Sequence, residues 1–308
     1  MRKTFTMTAI AAAIATTGFV GTAQADVTVF GKAHIDIASL TNVDNTKTGY
    51  SAGDGMYVAS HASRFGVKAS EDLGDGLSAI FHAEFQVDMT NTSGTLFSAR
   101  NNFAGLKGGF GTVLAGVHDM PYKMSISKAD PFADTYVDYN SVIQSDTRQS
   151  GVVMYMNKFN GFGVNLAYAP NVNAAGDAVT GASVDFKFGP VDGSVAYEGD
   201  AGGVTNTALR VRYDFGMGDV SVVGASENNA NNTYASANFK LSDTMKLSAA
   251  YGQQNGVGNA LTAIGIHDKL GKKVGVYAYY GSGDLYKKAP VLATGSSTAI
   301  SLGMQYSF

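Results

Sequence analysis

Polar and apolar residues alternate along most of this chain. In the segment VTVFGKAHIDIAS, Val27, Val29 and Ile35 occupy one face, and Lys32 and Asp36 occupy the other. This period of two is that of a β-strand, in which successive side chains point to opposite faces. We therefore expect a strand with one apolar and one polar face.

The same alternation recurs at even intervals along the rest of the chain. Short turns such as EDLGDG, KGGFG and FGMG separate some segments, and longer joins separate the others. An even number of strands, with short turns at one rim and longer loops at the other, is typical of a transmembrane β-barrel. The 16 predicted strands span residues 26–40, 56–70, 76–89, 96–107, 111–118, 148–158, 161–169, 179–188, 190–199, 204–215, 218–227, 231–241, 244–254, 259–269, 272–282 and 297–308.

Composition agrees with strands and tight turns. The 308 residues include 38 Gly, 16 Tyr and 17 Phe, but 5 Pro. Glycine suits tight turns, and aromatic residues are enriched in strands. After residue 25, no apolar run approaches the ~20 residues that a transmembrane helix needs.

The first 25 residues have the pattern of a secretory signal peptide. Arg2 and Lys3 precede a mostly apolar run, MTAIAAAIATTGFVG, and Ala23-Gln24-Ala25 has the form of a cleavage site. A single membrane anchor is the alternative, but the run is short and is interrupted by Thr and Gly. We expect a signal peptide over 1–25 and a single barrel domain over 26–308.

The charge balance and the cysteine content argue against some classes of function and structure. The whole chain has 22 basic and 25 acidic residues, so that removing Arg2 and Lys3 leaves 20 against 25 and a net charge of −5. This balance argues against a nucleic-acid partner, which requires a basic face. The chain has no cysteine, so we expect no disulfide bonds. His34, His82 and His118 lack the spacing of metal ligands, and we expect neither a metal nor a cofactor.

The two faces of these strands predict lipid outside and water inside. A closed barrel leaves no sheet edge unpaired in lipid, so the last strand is expected to pair with the first. A barrel of about 16 strands is wide enough to hold a water channel. The predicted fold is therefore all-β, a 16-stranded antiparallel transmembrane β-barrel. Its polar inner face is predicted to include Lys32, His34, Lys68, His82, Lys187, Arg210 and Arg212.

Four segments are similar to one protein family. They are VTVFGKAHIDIA, SRFGVKASEDLGDGLSAIFHAEF, LFSARNNFAGLKGGFGTVLAG and DPF at 130–132. Together they resemble the trimeric general porins of Gram-negative bacteria. The stretch SRFGVKASEDLG followed by GGFGTV is the most specific part. The resemblance spans the predicted mature chain and is densest over 27–170.

The resemblance implies a channel in the cell outer membrane for passive diffusion of ions and small hydrophilic solutes. It also implies a homotrimer that contacts outer-membrane lipid and lipopolysaccharide. The aromatic end of the chain, with Tyr306 and Phe308, is similar to the signal by which the outer-membrane barrel assembly machinery recognises such barrels during biogenesis.

In that family the third external loop folds into the barrel as a constriction loop. The matching segment here is 119–147, the longest join in the chain. The resemblance implies that the acids of this segment face a wall of arginines, where opposed charges sort ions by sign and size. The expected constriction residues are Arg64, Arg100, Arg148, Glu84, Asp130, Asp134 and Asp138.

Strand alternation agrees with this wall, because Arg64 lies on the face opposite Phe65 and Arg100 on the face opposite Phe103. Two positions depart from the family pattern, since relatives tend to have basic residues where this chain has Val117 and Met154. We therefore expect the charges of the constriction to be close to balance and its ion selectivity to be weak.

Other functions stay open on the sequence alone. A channel that prefers one class of substrate would have the same fold. An outer-membrane enzyme would need a nucleophile, an oriented base and an oxyanion site, and the chain contains no G-x-S-x-G motif. A plugged structural or adhesive barrel is a further alternative, which a count of 16 strands disfavours because the small barrels are the filled ones.

Overall fold

The strands lie close to their predicted positions. The structure, a computed structural model, describes residues 25–42, 54–90, 96–143, 147–170, 177–228, 230–255, 259–285 and 297–308. Residues 1–24 of the predicted signal peptide therefore lie outside the described residues. The strands are β1 (Asp26–Leu40), β2 (Gly55–Ser60), β3 (Arg64–Gly74), β4 (Leu77–Val87), β5 (Phe97–Gly108), β6 (Gly111–Asp119), β7 (Arg148–Phe159), β8 (Phe162–Ala169), β9 (Val179–Phe188), β10 (Val191–Asp200), β11 (Thr205–Asp214), β12 (Gly218–Glu227), β13 (Ala230–Lys240), β14 (Met245–Gln254), β15 (Asn259–Lys269), β16 (Val274–Gly283) and β17 (Ser297–Ser307).

The sheet closes on itself. From β3 onwards each strand pairs antiparallel with the next, and β17 pairs with β1. The backbones of Gly31 and Phe308 exchange two hydrogen bonds, of 3.1 and 3.2 Å, at this closure. Because β2 and β3 lie one after the other along β1, the 17 strands fill 16 positions. The predicted 16-stranded antiparallel barrel is confirmed.

The second barrel position differs from the single strand expected over 56–70. It is interrupted at 61–63, where Ala62 takes a left-handed backbone conformation with a φ of 47°. The Ser63 hydroxyl replaces part of the ladder, since it accepts a hydrogen bond from the His34 N–H (2.9 Å) and donates one to the His34 carbonyl (3.0 Å). A left-handed residue other than glycine is uncommon, and hydrophobic alternation carries no signal for it.

Apolar side chains point outwards and polar ones inwards. At the closing pair of strands, Ile37 and Leu302 are 50% and 65% exposed on the outer surface. Asp36 and Ser301, their neighbours in sequence, are buried inside the barrel, and the Ser301 hydroxyl donates a hydrogen bond to the Asp36 carboxylate at 2.6 Å. This alternation is that of strands between lipid and a polar interior.

Residues 120–143, here called the inserted segment, fold into the barrel. They contain α1 (Pro121–Ile126) and two short 3₁₀ helices, Ser127–Ala129 and Tyr139–Ser141. α1 packs on the inner side of β8 to β11, and the 3₁₀ helices contact β12 and β15. Among the described residues, no helix is long and apolar enough to cross a membrane. Apolar residues of the segment are buried with small residues of the barrel wall: Tyr122, Ile126, Phe132, Tyr136, Val137, Val142 and Ile143 with Ala208, Ala225, Ala250, Ala263 and Ala299.

We predict that Gly31→Ala weakens the closure between β1 and β17. A Cβ at Gly31 would lie 2.4 Å from the Phe308 ring and 2.8 Å from the Arg64 carbonyl oxygen, and overpacking of this kind costs about 1–3 kcal/mol. The folded, heat-resistant form should disappear at a lower temperature on electrophoresis. Gly224→Ala is the matched control, because nothing lies within 4 Å of a Cβ there. If both variants were as stable as the wild type, the close contact of Gly31 with the Phe308 ring at this closure would be contradicted.

Candidate functional site

Four basic side chains form one wall of the barrel interior, away from the strands on which α1 packs. Lys32, Arg64, Arg100 and Arg148 come from β1, β3, β5 and β7. Lys32 and Arg64 are direct neighbours in the register of β1 and β3. The alternation that points the apolar residues of these strands to the outside points the two cations to the inside. We call these four side chains the basic wall.

One acid of the inserted segment reaches the basic wall. An Asp134 carboxylate oxygen lies 3.1 Å from Lys32 Nζ and 3.2 Å from an Arg64 guanidinium nitrogen. Asp134 has a left-handed backbone with a φ of 64°, and its N–H donates a hydrogen bond to the Asp138 carboxylate at 2.7 Å. This backbone geometry holds the Asp134 side chain in place beside the two cations.

Two further acids from the barrel strands complete the cluster. Glu84 of β4 pairs with Arg100 and lies 3.9 Å from an Arg64 guanidinium nitrogen. Asp119 at the end of β6 pairs with Arg148 at 2.9 Å and with Lys123 of α1 at 3.3 Å. The side chains of the cluster are between 11% and 27% exposed. They comprise five cations and three anions: Lys32, Arg64, Arg100, Lys123 and Arg148 with Glu84, Asp119 and Asp134.

The structure corrects the expectation that all three loop acids face the arginines. Asp130 is turned into the segment, where its carboxylate accepts hydrogen bonds from the N–H groups of Phe132 (2.8 Å) and Tyr139 (3.1 Å). It also accepts one from the Tyr234 hydroxyl at 2.6 Å. Asp138 is buried and accepts from the Asn140 N–H at 3.0 Å, which caps a 3₁₀ helix. Of the three, Asp134 meets the basic wall.

Burial sets the protonation of Asp130. Removal from water raises the pKa of the Asp130 carboxyl to about 6, although the hydrogen bonds that it accepts favour the charged form. The charge of Asp130 therefore depends on pH within the mildly acidic range. Its hydrogen bond from Tyr234 also links the inserted segment to β13.

The predicted lining residues fall into two groups. Lys68 and Lys187 are exposed and His82 is half-buried, and Arg212 lies between Asp192 and Asp219 at 3.0 and 3.2 Å. The other two are covered, which corrects their expected position. His34 is fully buried, with Nε2 2.7 Å from the Tyr277 hydroxyl, and the Arg210 guanidinium is buried in an ion pair with Asp192 at 2.8 Å.

A β-bulge corrects the predicted orientation of Phe103. Between two successive pairs at this point, β5 carries one residue more than β4, and such an insertion changes which side chains face inwards. Arg100 and Phe103 therefore share the inner face. Arg100 reaches Glu84, and the Phe103 ring stacks on His82 with centroids 5.1 Å apart.

Sequence reasoning did not identify a buried contact between a histidine and a carboxylate beneath the inserted segment. His61 Nε2 lies 2.8 Å from an Asp36 carboxylate oxygen, and both side chains are buried. The His61 ring also contacts the Tyr136 ring of the segment edge to face, with centroids 4.9 Å apart. The inward orientation of Asp36 was a usable signal, but the break at 61–63 removed the alternation that would have placed His61.

Met154, one of the two positions that depart from the family pattern, has a packing role. It is fully buried and clusters with Leu114, Val152 and Met120. Met120 directly precedes α1. The apolar side chain at 154 therefore supports the start of the inserted segment, which a basic residue could not do without burying its charge.

Sequence comparison finds porins. A sequence model of the Gram-negative porin family matches residues 8–308. The major outer membrane protein P.IB of Neisseria gonorrhoeae is 30% identical over 158 residues, which cover 49% of this chain and 45% of that protein. The P.IB protein of Neisseria meningitidis serogroup B is 31% identical over 155 residues, with 49% and 46% covered. The chain matches these curated relatives over somewhat less than half of their length.

Solved structures share the fold. An anion-selective porin from Comamonas acidovorans has a TM-score of 0.75 and 20% identity, over 92% of this chain and all of that chain. The trimer form of in-vitro folded OmpT from Vibrio cholerae has a TM-score of 0.69 and 20% identity, over 92% of this chain and 99% of the other. At 20% identity, these TM-scores show a common barrel fold.

We predict that Asp130 makes heat stability depend on pH. An acid whose pKa is higher in the folded than in the unfolded chain binds more protons when folded, so stability falls as the pH rises from about 4 to about 6. Asp130→Asn stays uncharged, and its unfolding temperature should change less over this range than that of the wild type. Asp75→Asn, in the short turn after β3, is the control. Equal pH dependence of Asp130→Asn and wild type would refute the prediction.

Proposed function

Because the chain belongs to the Gram-negative porin family, we propose that it forms a water-filled channel for passive diffusion of ions and small hydrophilic solutes. As a member of this family it is a protein of the outer membrane. One observation carries the proposal: a closed barrel of 16 positions in which an inserted segment faces a basic wall across a cluster of charged, partly exposed side chains. Fold and family indicate a channel rather than an enzyme.

The charges of the cluster support weak selectivity with a tilt towards anions. Five cations exceed three anions, and each of these eight side chains is engaged in at least one ion pair. Opposed charges across a narrow passage sort ions by sign. The Comamonas protein with the same fold is named as anion-selective, which is consistent with this tilt. We also expect the selectivity to move further towards anions on acidification, because protonated carboxyl groups no longer offset the cations.

Planar bilayer recording tests the channel. Purified protein should insert and raise the current in uniform steps, because each barrel adds one aqueous path. A plugged structural barrel would insert without such steps. Inserted protein that gives no stepwise conductance would therefore exclude the proposed function.

We also propose a homotrimer. The OmpT structure is described as a trimer form, and the outer face of β1 carries the short side chains of Val27, Val29 and Ala33, on which a second copy could pack closely. The outward-facing Tyr306 and Phe308 are proposed to be read by the assembly machinery. A particle of three chains is expected in mild detergent, and a monomer under the same conditions would contradict the trimer.

The charge cluster predicts the effect of removing two cations. Arg64→Ala combined with Arg100→Ala leaves three cations against three anions, so the reversal potential under a salt gradient should move towards cations, and the conductance should rise because the passage widens. Lys272→Ala, in the short turn between β15 and β16, is the control. The shift should shrink in ~1 M salt, where the Debye length is ~3 Å. An unchanged reversal potential would show that Arg64 and Arg100 do not lie at the constriction.

Two acids of the inserted segment allow a matched test of removing a negative charge. Asp134→Asn removes a charge beside Lys32 and Arg64 and should move the reversal potential towards anions. Asp130→Asn makes the same chemical change at a carboxylate that is turned into the segment and hydrogen-bonded to Tyr234, and it should leave the reversal potential close to that of the wild type. Equal shifts from the two variants would contradict the structural distinction between these acids.

A further inference from the structure

Four aromatic rings stand side by side on the inner wall, on the side that also carries the basic wall. They belong to Phe30, His82, Phe103 and His118, on β1, β4, β5 and β6. Successive ring centroids are 5.2, 5.1 and 5.1 Å apart. We call these four side chains the ring row. α1 makes its main contacts with β8 through β11, and Phe103 packs against the apolar cluster that contains Leu114 and Met154.

Three separate features of the backbone bring the rings together. Phe30 shares the inner face of β1 with Lys32, and its ring crosses the next strand at Gly66, where a Cβ would lie 2.4 Å from the ring. The bulge in β5 turns Phe103 inwards beside His82. A further irregularity in register between β6 and β7 lies at His118. The row therefore depends on a glycine and two strand irregularities.

The rings of His82 and Phe103 present their edges to the interior. Their planes are nearly parallel, at 3°, and they stand on neighbouring strands, so each covers a face of the other. Phe30, His82 and Phe103 are half-buried. Aromatic rings prefer to meet edge to face, with centroids about 4.5–7 Å apart. The exposed edges therefore offer a surface for the face of another flat ring.

Cations stand on both sides of the ring row. Lys32 is two residues from Phe30 on the same face, and Arg100 is three residues from Phe103. Lys68 lies directly opposite His82 in the register of β3 and β4. A carboxylate on a solute whose ring lies on the row would thus meet a cation at either end, and guanidinium groups bind carboxylates with two parallel hydrogen bonds.

We propose that the ring row and its flanking cations form a binding track for small aromatic carboxylates. The solute ring lies across the edges of His82 and Phe103, and its carboxylate pairs with the basic wall or with Lys68. The proposal deepens the proposed channel function and rests on it, because the track lies along the aqueous path. It assigns to Phe30, His82, Phe103 and His118 a role in substrate preference that ion conduction alone does not require.

Two solutes of equal charge and similar size test the proposal. Benzoate and cyclohexanecarboxylate are both anionic at neutral pH, and benzoate alone has an aromatic ring. Each is added to single channels conducting KCl, and the concentration that halves the ion current is measured. Benzoate should halve the current at a concentration about three- to tenfold lower, which is the range expected for one aromatic pair.

Matched variants locate the effect. Phe103→Leu removes one ring of the row and should bring the half-blocking concentration of benzoate up to that of cyclohexanecarboxylate. Phe81→Leu makes the same change on the outward face of β4, where Phe81 is 48% exposed, and it should keep the wild-type difference. If Phe103→Leu gives no channels, His82→Gln is recorded in its place with the same expectation.

The outcomes separate this inference from the channel itself. Absence of current steps in KCl before any carboxylate is added would refute the proposed function. Normal steps with equal half-blocking concentrations for the two solutes would overturn the binding track and leave the channel intact. A benzoate preference that survives both Phe103→Leu and His82→Gln would also overturn it.

Discussion

Backbone hydrogen bonding in an apolar surrounding constrains this structure more than any side-chain contact. An unpaired N–H or C=O group in hydrocarbon costs several kcal/mol, so each strand must be paired on both edges. The pairing of β17 with β1 meets this requirement, and Gly31 admits the Phe308 ring at the closure. Once the sheet is closed, alternation divides every strand between lipid and interior. The outward Leu302 and the inward Ser301 are consequences of the same closure.

A closed barrel of this width has an interior too large for the wall residues to fill. The inserted segment fills part of it, and it does so where the wall residues are small. At Gly281 an added Cβ would lie 2.0 Å from Val137, and Ala263 is buried in the same cluster. Because the segment occupies this side, the charged cluster around Arg64 and the ring row are left on the other. Packing of apolar residues thus decides where polar chemistry remains accessible.

The sequence predicts the strands well because lipid and water impose a period of two on every one of them. It predicts less of the site, since the site depends on departures from that period. The bulge in β5 reverses the orientation of Phe103. The left-handed conformation of Ala62 interrupts the alternation, so the orientation of His61 could not be predicted from it. The inserted segment has no strand periodicity, and the orientation of Asp130 depends on a hydrogen bond from Tyr234, which is distant in sequence. His34 has the predicted inward orientation but lies covered, which alternation alone does not reveal.

The whole structure depends on a division in which inner-face residues line water and outer-face residues meet lipid. Adjacent cysteines on β4 test this division most directly. The chain has no cysteine, so His82→Cys and Phe81→Cys each introduce a single thiol. A charged, water-soluble thiol reagent is added during bilayer recording. The reagent should lower the current through His82→Cys channels in steps and leave the current through Phe81→Cys channels unchanged. Loss of current on modification of Phe81→Cys, or no effect on His82→Cys, would refute the division between an aqueous inner face and a lipid-facing outer face.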